Sequence, residues 1–293
     1  MANGASVNPK STSEKELRSK LLKAIGESHS LGISDEDLLR ILRERLEEGG
    51  IYDSDERQRV AKIAQIPFLA DNGYLLLSAA FRPHKKEFEK IFDKDVVNLA
   101  EHVPVFRSYG WDLSTTSRAR PVEGDFLEVV DDPVKLLRIY RDGLIIAAGS
   151  ISPNFLSWGT EEVRKSEEKL YINALAAVEY ITNFVQFVEI FRVLAEIKVG
   201  EVIFSLELHK KPGEAGLLIP RSMFKKAIGN FAGQDKTFYF SPVVIGEMGL
   251  NYEKAAYPLV ERFYQLFGVM HEDFHYVDTE HKTVIVSSFG DKT

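Results

Sequence analysis

The sequence predicts an α+β protein: an N-terminal winged helix-turn-helix-like module followed by a mixed α+β domain with one long helix. Three observations carry this. Three short helical segments between Glu14 and Ile66 precede a hairpin signal, which is the element order of a winged helix. Beyond Val103 the pattern changes to short alternating strands. Residues 161–198 form the longest helical run, without strict β–α–β alternation around it.

Residues 1–13, polar and small, read as a disordered tail. The module spans 14–80. Leu17, Leu21, Leu22 and Ile25 recur at helical spacing. Ser34 supplies the N-cap of a second helix, with Asp35, Glu36 and Asp37 in its first turn, where the helix dipole favours negative charge. Leu38, Leu39, Leu42 and Leu46 form its apolar stripe, and Gly49-Gly50 ends it. A third helix begins near Asp53 and stops before Pro67, with Val60, Ile63 and Ala64 on one side. Phe68–Ala70 and Tyr74–Leu77 flank Asp71-Asn72-Gly73, which predicts a wing hairpin. Residues 81–102 read as a charged helical linker.

The α+β domain spans 103–293. Phe126–Val130 and Lys135–Arg141 read as strands, and Asp142-Gly143 as a two-residue hairpin turn. Glu201–Leu208, Thr237–Ile245 and Thr283–Ser288 are further strands, and Asn251–Phe267 is an amphipathic helix. The long helix carries apolar residues on more than one side, so it is buried on more than one side, within the domain or against a partner. Phe184, Phe187 and Phe191 are its candidate partner-binding residues, which predicts a protein partner or homo-oligomer.

Composition narrows the function. The chain has no cysteine, which removes disulfides, thiolate zinc sites and cysteine nucleophiles. No secretory leader pattern is present, and charged or amide residues interrupt the apolar stretches, so a cytoplasmic protein without membrane association is expected. The net charge of −7 disfavours broad nucleic-acid binding, but the part up to Asp95 is close to balanced. There Arg57, Arg59 and Lys62 lie on the exposed side of the third helix, where a winged helix enters the major groove; they are the candidate DNA-binding residues. The alternative is a small helical module for protein contacts. No G-x-x-x-x-G-K-[ST] cradle, G-x-S-x-G elbow or strand-linked G-x-G-x-x-G occurs, and no cofactor is expected.

His271-Glu272-Asp273-Phe274-His275 spells the H-E-x-x-H pattern of zinc hydrolases, with His281 six residues on. On a helix, His271 and His275 would share a face and Glu272 would polarise a metal-bound water. The context predicts otherwise. Gly268 sits where a helix C-cap glycine belongs, placing His271 beyond the helix. In the strand that follows, the two histidines would lie about 13 Å apart, too far to share a metal. No metal site is therefore expected. Trp111 and Trp158 read as packing residues beneath loops, with ligand stacking as the alternative.

Gly110-Trp111-Asp112, the strand Leu136–Tyr140 and then Arg141-Asp142-Gly143-Leu144-Ile145 resemble the C-terminal region of bacterial Schlafen-type, AlbA-like DNA-binding and ATP-binding proteins. The resemblance covers residues 105–220 and rests on the order of hairpin, long helix and a strand like Val202–Leu206. Phe68–Leu77 has one glycine where the family has two. The resemblance implies a bacterial, DNA-associated or antiviral-defence context with this region as scaffold or sensor. It carries over no catalytic residue. The sequence thus predicts a non-enzymatic, DNA-associated or complex-forming accessory protein whose larger domain binds a protein partner. A zinc hydrolase using His271, Glu272 and His275 is one alternative; a ligand-sensing winged-helix regulator is the other.

Overall fold

In a computed structural model of the protein, the residues described are 73–82, 88–160, 170–198, 200–210, 215–219, 226–231, 236–246 and 248–290. All fall within Val60–Thr293, the larger of the chain's two compact units. The helices expected in residues 14–66, with Arg57, Arg59 and Lys62, and the strand Phe68–Ala70 lie outside the described residues.

The main sheet contains β1 (Tyr74–Arg82), β2 (Arg120–Val122), β3 (Phe126–Asp131), β4 (Lys135–Tyr140), β5 (Ile145–Ser150), β7 (Gly200–His209) and β10 (Lys236–Ile245). Its order is β10-β7-β1-β5-β4-β3-β2, and every neighbouring pair is antiparallel. A smaller sheet joins β6 (Leu170–Asn173), parallel to β8 (Ala215–Ile219), with β9 (Lys226–Phe231) antiparallel on the other side of β8. Three α-helices are described: α1 (Lys94–Glu101), α2 (Ala174–Leu194) and α3 (Tyr252–Leu266). The hairpin β11 (Val277–Asp278) and β12 (Thr283–Val284) follows. The mixed α+β class is as the sequence predicts.

Four expectations change. Tyr74–Leu77 is a strand, but its edges are taken by β5 and β7, so it is a central strand of the large sheet and not one arm of a wing. Its unbroken run Tyr-Leu-Leu-Leu suits a strand covered on both faces. The β4–β5 turn is a three-residue loop: Gly143 N–H donates to Tyr140 O, Tyr140 N–H donates to Leu144 O, and only Gly143 takes positive φ, at 83°. The predicted long helix starts later than expected, because Leu170–Asn173 is strand β6 and Asn173 caps α2 by accepting from Ala176 N–H at 3.2 Å. The last strand is only Thr283–Val284; Val286–Ser288 forms a 3₁₀ turn.

Helix α2 is the centre of the core. Its face against the large sheet meets Leu75, Leu77, Ala79 and Phe81, and α1, α3 and the smaller sheet flank it. This corrects the partner assignment. Phe184, Phe187 and Phe191 are 0 %, 0 % and 1 % exposed, so they are core residues. Phe184 meets Phe204 edge-on at 6.3 Å, and Phe191 meets Phe81 and Phe88 at 6.1 and 5.9 Å. The broad apolar surface of α2 is spent on two sheets and two helices of its own chain. By length and composition α2 could cross a membrane, with a mean hydropathy of 1.3, yet 78 % of that window is buried inside this chain.

Helix α3 ends as its sequence predicts. Gly268, at φ 65°, donates to Gln265 O while Val269 donates to Tyr264 O, the paired bonds of a Schellman motif.

Candidate ligand cleft

The buried stretch of α2 is apolar except for a few residues, and those residues build the candidate site. Glu179 and Asn183 lie one turn apart, on the same face of the helix, and both are 0 % exposed. A polar group buried in such a helix needs a partner, and the 104–113 loop supplies it. Arg107 donates to Glu179 from Nη2 at 2.7 Å and from Nε at 3.2 Å, and the Trp111 backbone N–H also donates to this carboxylate. Asn183 donates to Pro104 O at 2.7 Å and accepts from Leu113 N–H at 2.9 Å. Burial pushes the Glu179 carboxyl above its ordinary range, and the Arg107 charge and these hydrogen bonds pull it back only in part. A Cβ on Gly110 would overlap Glu179 Oε1, so a larger residue there would have to displace the carboxylate.

A second set of contacts fixes the far end of the loop. Asp112 accepts from Ser114 N–H at 2.8 Å, and Lys135 of β4 donates to the carbonyls of Asp112 and Ser114. The Lys135 ammonium lies over the Phe155 ring at 5.4 Å, and burial lowers its pKa against the opposing pull of Asp112 and Asp131. Across the cleft, Asn173 uses its side chain twice. It caps α2 and donates from Nδ2 to Trp158 O at 3.2 Å, so the helix start also sets the Trp158 turn.

Between these parts opens a cleft of about 750 Å³. Arg107, Tyr109, Trp111, Trp158 and Leu175 form one side, with Tyr276 and Phe289 contributed by the C-terminal segment. The two tryptophan rings lie 5.5 Å apart at 54°, and the Arg107 guanidinium sits 4.9 Å from the Trp111 ring. Trp158 is 55 % exposed and Tyr109 94 % exposed. Trp158 is therefore not a residue packed beneath a loop, and the stacking alternative fits its exposure better. Tyr276, at φ 65°, meets Phe289 at 6.4 Å, and Phe289 meets Phe106 at 5.5 Å, which ties the C-terminal wall to the loop.

The H-E-x-x-H residues are not on an α-helix. His271–Asp273 is one 3₁₀ turn, so the helical spacing that would align His271 with His275 is not formed. Nor do they lie on a strand, as expected, because the hairpin begins only at Val277. Each histidine has its own partner: His271 Nε2 lies 3.0 Å from Tyr257 Oη, His275 Nδ1 2.7 Å from Asp273 O, and His281 Nδ1 2.8 Å from Asp278 Oδ2. Among the described residues no group of three His, Asp or Glu side chains could hold a metal ion.

Sequence reasoning gave Trp111 and Trp158 as packing residues with ligand stacking only as the alternative, and missed Arg107, Glu179 and Asn183. A signal existed. Glu179 and Asn183 interrupt an apolar helix at spacing i, i+4, and buried polar groups there require partners elsewhere in the chain. Compared with protein-family models, functionally characterised proteins and solved structures, the chain matches none of them.

Proposed function

We propose that the chain is a non-enzymatic accessory protein whose α+β domain binds a ligand in the Trp111/Trp158 cleft, in the DNA-associated context implied by the family resemblance. One observation carries the reading: an open aromatic cleft of about 750 Å³ is held in shape by two buried side chains of the core helix, Glu179 and Asn183, and by its buried N-cap, Asn173. That volume falls in the ~300–1,000 Å³ range of small-molecule sites, and a preformed wall lowers the cost of ordering on binding. The described lining contains no His, Asp, Glu or Lys to serve as a general base, and the Ser288 hydroxyl donates to Ile285 O. In this reading the N-terminal module, with Arg57, Arg59 and Lys62, is the output that meets DNA.

A thermal-shift screen of a metabolite library tests the proposal. A ligand at a hundred times its Kd stabilises the folded state by about 2.7 kcal/mol. Compounds that raise the Tm of the wild type but not of Trp158→Ala support it. No hits, or hits indifferent to Trp158, contradict it. A second reading has a protein partner inserting an aromatic side chain into the same cleft. The exposed Tyr109 and Trp158 rings favour it, since such residues are enriched at interfaces.

A further inference from the structure

We propose that the cleft takes an uncharged planar heteroaromatic ring carrying two adjacent in-plane hydrogen-bond acceptors, the chemistry of a guanine base. The proposal rests on the reading of the cleft as a binding site and adds the class of its ligand.

The walls set the shape. Trp111 and Trp158 lie 5.5 Å apart and tilted, in contact with each other, so no ring can slip between them. One face of Trp111 is covered by Arg107. The open surfaces are the exposed faces of Trp158 and Tyr109, which suit a flat ring that stacks from the solvent side.

Charge sets the electrostatics. Arg107 is the one charged residue of the described lining, and its charge is balanced by Glu179. A cation would meet the guanidinium directly. A polyanion would find a positive charge already neutralised, in a chain with a net charge of −7. A neutral ring meets neither penalty.

The free donors set the edge. Arg107 engages Glu179 through Nε and Nη2, the side of the guanidinium. Nη1 has no hydrogen-bond partner among the described residues, and Nη2 has a second N–H. Together they form the end-on fork of the guanidinium. Such a fork matches two neighbouring acceptors, as at N7 and O6 of guanine; adenine offers an acceptor beside a donor and is refused.

Calorimetry and tryptophan emission on the full chain test this with guanosine, adenosine, guanosine 5′-monophosphate and a single-stranded oligonucleotide containing one guanine. The chain has only two tryptophans, both in the cleft, so emission reports on this site alone. Guanosine is expected to bind at least about tenfold more tightly than adenosine, the factor set by one mismatched bidentate contact. The monophosphate should bind within a few-fold of guanosine and without salt dependence. Free guanosine should bind at least as well as the oligonucleotide; the reverse preference would keep the ring assignment and make a strand its source. Trp158→Ala should weaken guanosine about tenfold, and Arg107→Lys, which keeps the charge but loses the fork, should abolish the preference over adenosine. Equal binding of the two nucleosides, or strong salt-dependent preference for the monophosphate, overturns the inference. If none of the four binds while the thermal-shift screen yields Trp158-dependent ligands, the ring assignment falls and the cleft reading stands. If that screen is also empty, both fall.

Discussion

Glu179 and Asn183, one turn apart on α2, hold the 104–113 loop, Asn183 at its two ends and Glu179 at Arg107 and Trp111 within it. The buried helix thereby determines where Tyr109, the most exposed aromatic residue among those described, and Trp111 stand. The loop has no regular structure of its own; side chains of α2 and β4 instead satisfy its Pro104, Trp111, Asp112 and Leu113 backbone groups.

Removing Glu179 should therefore be costly. Glu179→Ala leaves the Arg107 guanidinium without its partner and the Trp111 N–H without its acceptor. Breaking a fully buried pair costs about 3–5 kcal/mol, and Arg107 keeps some access to water, so about 2–4 kcal/mol is expected here. Urea denaturation measures it. Tryptophan emission of the folded variant should shift to the red as the loop loosens; a stability loss with unchanged emission would separate the loop from the helix.

Glu179→Gln isolates the effect of ionisation. The carboxyl is raised by burial in the folded state, so over the window above its unfolded value the folded state holds the proton more tightly than the unfolded state. Stability contributed by this group is greatest at low pH and falls as pH rises through the folded value. The stability of the wild type relative to Glu179→Gln should thus decline between pH 4 and neutrality. A difference that rises over that interval would mean that Arg107 outweighs burial.

Much of the fold was legible because its signals are local. The strands Phe126–Val130 and Lys135–Arg141, the helix Asn251–Phe267 and the Gly268 cap declare themselves within a few residues. The role of Tyr74–Leu77 did not, because a strand's sequence states its burial and not its partners, which here lie 65 or more residues away. Phe184, Phe187 and Phe191 were misread for the same reason: an apolar helix surface looks alike whether its own sheets or another chain cover it. The Arg107–Glu179 pair spans 72 residues, and only the polar interruption of α2 hints at it.

The histidines near the C-terminus give a third prediction. His271→Ala should lose the hydrogen bond to Tyr257 at a cost of about 0.5–1.5 kcal/mol and leave zinc content unchanged. Metal analysis of protein prepared without chelators decides. One equivalent of zinc in the wild type, lost in the variant, would make the hydrolase reading the leading one.

The output side is tested separately. The Arg57→Ala, Arg59→Ala, Lys62→Ala triple variant should lose the weak, salt-dependent retardation of duplex DNA expected of the wild type at low salt. Equal retardation of both proteins, or none by either, would remove DNA from the account.

The most direct test of the cleft itself is the emission of its two tryptophans during titration with the ligands selected by thermal shift. The account predicts a saturable change in wild-type emission, with a midpoint equal to the calorimetric Kd and displaced at least about tenfold in Trp158→Ala, as expected when one stacking surface is removed. Ligands that bind by calorimetry while both tryptophans remain silent would place the site elsewhere and contradict it.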